Sequence, residues 1–326
     1  MKIDNIEFPK YPVFLAPLED VTDIVFRSLC KQYGADMMYT EFVSSEALIR
    51  DVKRSIQKME IFDYERPIGI QLYGNKIESM VEAAKLAENL NPELIDLNFG
   101  CPVKKIATKG GGAGLMKDIP KMVEMTAEVV KATKLPVTAK TRLGWDESNK
   151  NIVEIAERLQ DVGIKAITIH GRTRTQMYKG EADWTLIGEV KNNPRIKIPV
   201  IGNGDIDNPE IALEMFNRYG VDAIMVGRAS IGKPYIFKEI KHFLETGELL
   251  AKLTIPQQLE LLKIHIDKSI DYAGTPRGII RLRRHMAQSF KGLPYFRDLR
   301  IAMLRCSDYD ELMGILGQIS EKYADY

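Results

Sequence analysis

Asn98-Phe99-Gly100-Cys101-Pro102 follows the apolar run Leu94-Ile95-Asp96-Leu97, which places a thiol on the first residues past a buried strand. Gly100 permits a sharp bend there, and Pro102 blocks further strand pairing. Two chemistries are open to such a thiol. As a nucleophile it needs a base, and His170 could supply one. As a general acid it must stay protonated, so its pKa must not be strongly lowered. The residue types leave both open, together with the third reading of an inert buried cysteine.

The ends of the other apolar runs carry Pro17, Glu41, Gln71, Lys140 with Arg142, His170 with Arg172 and Arg174, Asn203-Gly204-Asp205, and Gly227-Arg228. Packing alone does not require so many charged groups at strand ends. Gly202-Asn203-Gly204-Asp205 and Gly227-Arg228 suit a phosphate: glycine lets backbone N–H groups approach an anion, and Arg228 adds a forked cation. Lys140 and His170 come from different strands and can converge on one ligand. Protonated donors at a flavin's pyrimidine edge would stabilise the negative charge of its reduced form.

A βα repeat is needed to bring these ends together. Short apolar runs recur roughly every 25–40 residues with amphipathic stretches between them, the spacing of an eight-fold barrel. They are Val13–Ala16, Met37–Tyr39, Ile68–Ile70, Leu94–Leu97, Val137–Ala139, Ala166–Ile169, Val200-Ile201 and Ala223–Val226. Pro120 to Lys134 and Asn151 to Val162 read as helices with one apolar stripe each. Eight units favour a closed (β/α)8, or TIM, barrel over an open sheet. Gly110-Gly111-Gly112-Ala113-Gly114 lacks the third glycine of G-x-G-x-x-G and follows no strand directly, so it reads as a loop near the barrel mouth.

From Ile255 onward the periodicity is helical, with Leu259, Leu262, Ile266 and Ile270 as one stripe. Pro276 to Phe290 reads as a helix with Arg277, Arg281, Arg284 and Gln288 on one face and Leu282, Met286 and Phe290 on the other. The fold expected is therefore a TIM barrel over residues 1–245, followed by a small all-helical domain over 246–326. Glu245-Thr246-Gly247 serves as the stop between them.

The 326 residues carry a net charge of +1 from 46 basic and 45 acidic side chains. Residues 277–305 depart from that balance, with Arg277, Arg281, Arg283, Arg284, Lys291, Arg297, Arg300 and Arg305 against Asp298 alone. Such a face suits nucleic acid or another anion. Cys30, Cys101 and Cys306 form no CxxC pair, so neither a zinc knuckle nor a disulfide framework is expected, and no metal site. The acids near the start do not suit a signal peptide, and no apolar run is long enough to span a bilayer. A cytoplasmic protein without membrane contact is expected, and no obligate protein partner is evident.

Taken together, these motifs resemble the tRNA-dihydrouridine synthases, most closely the bacterial B-type group, over nearly the whole chain. The resemblance rests on Ala16-Pro17-Leu18, Thr22-Asp23 with Phe26-Arg27, Gln71-Leu72-Tyr73-Gly74, the Asn98–Pro102 loop and Lys140-Thr141-Arg142-Leu143-Gly144. Its longest stretch is His170-Gly171-Arg172-Thr173-Arg174-Thr175-Gln176-Met177-Tyr178-Lys179-Gly180, followed by Ala182-Asp183-Trp184. Gly202–Ile206 and Gly227-Arg228-Ala229 complete the set. The resemblance implies FMN at the barrel mouth, reduction by NADPH (NADH remaining open), and hydride transfer to C6 of a uridine in tRNA, with the proton to C5 from Cys101. The implied flavin contacts are Ala16, Pro17, Leu18, Gln71, Lys140, His170, Asn203, Gly204, Asp205, Gly227 and Arg228. The implied RNA contacts are Arg174, Arg277, Arg281, Arg284 and His285. A base hidden in a stack must be turned out to reach the flavin.

Three positions depart from the family pattern. Leu18 stands where methionine is usual, Glu19-Asp20 where a small Ala-Gly pair is common, and Gln288-Ser289 where a tryptophan–tyrosine pair often follows. Two other functions fit parts of the sequence: a flavin barrel acting on a free pyrimidine, like a dihydroorotate or dihydropyrimidine dehydrogenase, and a non-catalytic tRNA-binding protein.

Overall fold

The computed structural model describes residues 1–326. Eight parallel strands form the ring: β1 (Val13–Leu15), β2 (Met38–Tyr39), β3 (Ile68–Tyr73), β4 (Leu94–Asn98), β5 (Val137–Arg142), β6 (Ile167–His170), β7 (Val200–Asn203) and β8 (Ala223–Val226). Each pairs with its neighbours in sequence from β2 to β8, and β8 pairs with β1. A parallel bridge between Phe14 and Met37 closes the circle. All eight apolar runs are strands because a barrel strand is covered on both faces, by the ring interior and by the helices.

Two apolar layers result. Val13, Leu15, Ile70, Leu97, Ile167 and Val200 face the surrounding helices in one large core. Phe14, Met37, Tyr39, Leu94, Ile201 and Met225 fill the ring interior, where Ile3 joins them from an N-terminal hairpin (Lys2–Ile3 with Ile6–Glu7). The hairpin stops the N-terminal end of the barrel, and Phe8 packs on Phe14 with ring centroids 5.0 Å apart. The opposite end, where the strands finish, is left for chemistry.

Local sequence sets the helix ends. Asp23, Asp118 and Asn208 accept the N3 amides of Phe26, Lys121 and Ile211, and Pro120 and Pro209 stand in the first turns, which suits their missing N–H. The expected helices at 120–134 and 151–162 are Ile119–Ala132 and Ile152–Asp161. The glycine-rich loop contains a short 3-10 helix, Gly112–Lys117.

Helix Ile236–Thr246 still belongs to the barrel, since Ile236, Phe237, Ile240 and Leu244 lie in its core. A separate core begins at Ile255, with Leu259, Ile266, Met286, Met303, Leu316 and Ile319 among its members. A capping box between Thr254 and Gln257 starts the first helix of this part, Ile255–Ala273. The expected single helix at 276–290 is broken at Leu282 into Arg277–Arg281 and Arg283–Gln288. Its arginines therefore do not share one straight face. No helix is long and apolar enough to cross a membrane.

Candidate active site

The thiol loop is held from the strand before it. Asp96 lies inside β4, opposite Gln71 of β3, and Asn98 ends β4 opposite Lys140 of β5. The buried Asp96 carboxylate accepts from Gln71 Nε2 and from Thr138 Oγ1, both at 2.6 Å. Gln71 Oε1 accepts from Asn98 Nδ2 at 2.8 Å, and Asn98 Oδ1 takes the N–H groups of Gly100 at 3.0 Å and Cys101 at 2.9 Å. A continuous polar chain thus runs from β5 to the backbone of the cysteine. Burial raises the Asp96 carboxyl to about 6, against the pull of Thr138 and Gln71.

Cys101 is 5% exposed. Burial pushes its thiol up, opposed by the Val103 N–H and the nearby Arg142 cation. At neutral pH the protonated form is favoured, and a protonated thiol can give a proton but does not attack. The base proposed for a nucleophilic role is also engaged. His170 Nε2 lies 3.3 Å from Arg172 Nη1, and a guanidinium only donates, so Nε2 must accept there. Burial, then Arg142 and Lys140, drive the imidazole well below its ordinary pKa. The expectation of a protonated His170 is therefore corrected: it is neutral, because cations surround it in a dry site.

Lys140 donates to Asn203 Oδ1 at 3.1 Å, and Asn203 Nδ2 donates to Met225 O at 2.7 Å. Burial and Arg142 lower the ammonium to about 8, so it keeps its proton at neutral pH. Arg142, at the end of β5, ties two loops together: Nε donates to Gly100 O at 2.7 Å, and Nη1 to Thr173 O and Met177 O at 3.1 and 2.9 Å. Tyr178 stands at the mouth with the guanidinium carbons of Arg142 and Arg228 5.6 and 5.1 Å from its ring centre.

The two glycine loops differ in what they leave open. At Gly202 a Cβ would lie 2.0 Å from the Trp184 ring, so this glycine makes room for packing and not for an anion. Gly204 has a φ of +131°, outside the range of other residues. A Cβ on Gly227 would meet nothing closer than Ala16 at 3.6 Å, which leaves a cradle beside it. Asp205 takes Arg172 through both oxygens, at 2.9 and 2.6 Å, and Arg228 at 2.7 Å. Burial opposes its ionisation, yet Arg172, the Ala182 N–H and Arg228 hold the carboxyl below its usual range. Pro17 is buried and Leu18 half-buried at the end of β1.

The residues expected at RNA are spread more widely. Arg174 lies over the Trp145 ring, 4.6 Å from its centre, beside the mouth. Arg277 is exposed. Arg281 pairs with Asp23 at 3.2 Å and Arg284 with Asp20 at 3.3 Å. His285 does not face solvent: it is 2% exposed, accepts from Gly232 N at 3.2 Å and donates to Val21 O at 3.1 Å. It packs on Phe26 and His265 at the joint between barrel and helical part.

Sequence patterning did not single out Asp96 or Tyr178 as site residues, and it marked Arg142 as a strand-end charge without a role. Asp96 did leave a signal, since a carboxylate inside an otherwise apolar strand must have buried partners.

The dihydrouridine synthase (Dus) family model matches residues 14–324. The chain belongs to the dihydrouridine synthase family. It is 40% identical over 327 residues to a probable tRNA-dihydrouridine synthase of Rickettsia conorii, covering 100% of this chain and 96% of the relative. It is 37% identical over 298 residues to tRNA-dihydrouridine synthase B of Pseudomonas aeruginosa, covering 91% and 89%. This family membership makes the chain an enzyme, a flavin-dependent oxidoreductase by class. Among solved structures, a 2-naphthoyl-CoA reductase complex superposes with a TM-score of 0.58 at 12% identity, over 74% of this chain and 51% of that one. Histamine dehydrogenase from Rhizobium sp. 4-9 gives 0.52 at 14% identity, over 85% and 49%. The chain spans about half the length of those two structures, and the likeness shows the barrel fold.

Proposed function

We propose that this enzyme reduces uridines in tRNA to 5,6-dihydrouridine, with FMN at the strand ends and NADPH, or NADH, as reductant. The observation that carries the reading is Cys101: a buried thiol kept protonated, on a loop fixed by Asn98, among cations that suit an anionic ligand. The mouth fits a flavin. Lys140 has three ammonium protons and gives one to Asn203, and the space beside Gly227 is open. Ala16, Pro17, Leu18, Gln71, Lys140, His170, Asn203, Gly204, Asp205, Gly227 and Arg228 would hold the group. When bound, reduced FMN would supply the hydride added at C6 of the pyrimidine C5=C6 double bond.

The protein's own part is proton delivery, charge and shelter. Cys101 Sγ–H gives its proton to C5, and the thiolate left behind is stabilised by the Val103 N–H and Arg142. Lys140 and the neutral His170 place donors where negative charge on the reduced ring would gather. Residues 1–245 form the cofactor-binding part and 246–326 the RNA-binding part, with Arg174, Arg277, Arg281 and Arg284 as candidate phosphate contacts. A cytoplasmic location goes with this proposed activity. His285 serves the joint instead.

Purified protein should be yellow, and a tRNA transcript treated with it and NADPH should gain two hydrogens per modified uridine by mass spectrometry. A protein without flavin affinity, or one that reduces a free pyrimidine and ignores RNA, would reject the reading.

A further inference from the structure

The loop after β1 carries Glu19-Asp20, and Asp20 has a φ of +55°, a left-handed conformation that favours glycine and that aspartate tolerates better than most residues. Its N–H donates to the buried Glu41 carboxylate, which fixes the turn. The Asp20 carboxylate is consequently projected between two arginines: Arg54 from the short helix Lys53–Gln57 at 3.4 Å and Arg284 from the helical part at 3.3 Å. Arg284 Nη1 also reaches Glu19 O at 3.2 Å. One turn away, Arg281 pairs with Asp23 at 3.2 Å. These pairs line a cleft of about 520 Å³ between the barrel lip and the helical part. The cations best placed to meet a polyanion there are already matched with carboxylates.

We propose that Asp20 and Asp23 act as phosphate stand-ins for Arg284 and Arg281 in the free enzyme, so that RNA engages this face by exchanging ion-pair partners. The proposal rests on the reading of RNA as substrate. Carboxylate and phosphate oxygens offer a guanidinium the same kind of paired acceptor. Asp20 is half exposed, where a single pair contributes little, whereas Asp23 is more enclosed. A lone phosphate gains little by replacing one carboxylate. A chain of phosphates that replaces both at once, while keeping other contacts, gains more. The acids thus select for polymer over mononucleotide.

The test is fluorescence anisotropy of a labelled tRNA transcript across a salt series, using the full chain. Asp20 is the clean position, because Asp23 also caps its helix through Phe26 N. Asp20→Asn should tighten binding by about two- to fivefold at low salt, the range expected from one exposed pair, with the gain shrinking as salt rises. Asp20→Gly, which suits the backbone conformation, should show the same gain. Because Asp20 also meets Arg54, Arg284→Ala should shrink the gain, and Asp20→Asn added to the double variant Arg54→Ala/Arg284→Ala should change nothing. A gain that is undiminished by Arg284→Ala, or that persists without both arginines, would reveal general repulsion by Asp20 and overturn the exchange. Unchanged or weaker binding by both Asp20 variants, with wild-type melting temperatures, would also overturn it. Failure of the wild-type chain to bind tRNA would instead overturn the function proposed above.

Discussion

The side-chain oxygen of Asn98 holds the backbone amide of Cys101 at 2.9 Å, while its amide nitrogen donates to Gln71 at 2.8 Å. The proposed proton donor is therefore positioned from a strand end. Replacing Asn98 by alanine strands two N–H groups, those of Gly100 and Cys101, at a cost of about 1–3 kcal/mol each where water cannot reach them. Asn98→Ala should keep its flavin and lose about tenfold or more in dihydrouridine formation, since misplacement of a reacting group by an ångström is enough for that. Single-turnover product assays beside flavin absorbance would check it. Undiminished turnover would show that the loop is held by Arg142 alone.

Cys101→Ala separates the two halves of the reaction. In the proposed reaction, reduction of the flavin by NADPH does not need the thiol, so that step should stay within about twofold, while uridine reduction should fall by about 100-fold or more, the usual contribution of a general acid. Stopped-flow absorbance follows the first step and mass spectrometry of the RNA the second. Equal loss in both would make Cys101 a structural residue.

Lys140 gives a pH signature with a defined direction. Its ammonium is lowered to about 8 by burial and by Arg142, so the charge is present below that pH and lost above it. A ligand bearing negative charge raises this value, so turnover should decline on an alkaline limb that begins at or above about 8. Lys140→Arg keeps a cation throughout and should lack that limb, even at lower absolute rate. A limb unchanged in the variant would assign the titration to another group.

The barrel was legible because each strand is covered on both faces, which leaves apolar runs such as Ala223–Val226 with the candidate site residue just beyond. The cysteine, Lys140 and His170 followed from that geometry. Protonation states were not legible, because they depend on neighbours far apart in sequence: His170 is neutral owing to burial and to Arg142 and Lys140, which arrive on another strand. Gly202 misled for a similar reason, since the ring that needs its missing Cβ belongs to Trp184. The helix at 276–290 has the right period on both sides of Leu282. Its basic face is nonetheless broken, because Arg281 and Arg284 turn to acids of the barrel loop.

His285 turns that joint into a second pH-dependent element, of opposite consequence to Lys140. Gly232 donates to its Nδ1 and its Nε2 donates to Val21 O, a pattern that only the neutral ring can satisfy. Burial lowers it from 6.5 to about 4, although Asp23 pulls the other way. Burial pushes the adjacent His265 in the same direction. Between those two pH values the unfolded chain binds a proton that the folded chain refuses, so stability is fully present above about 6.5 and declines as pH falls toward 4, by at most about 1.4 kcal/mol per pH unit for one such group. Thermal melts from neutral to acid pH should show this decline. His285→Gln should be less stable at neutral pH, where it loses a fitted ring between Phe26 and His265, but its melting temperature should fall less steeply with acid. Parallel slopes for the two proteins would show that His285 does not carry the titration.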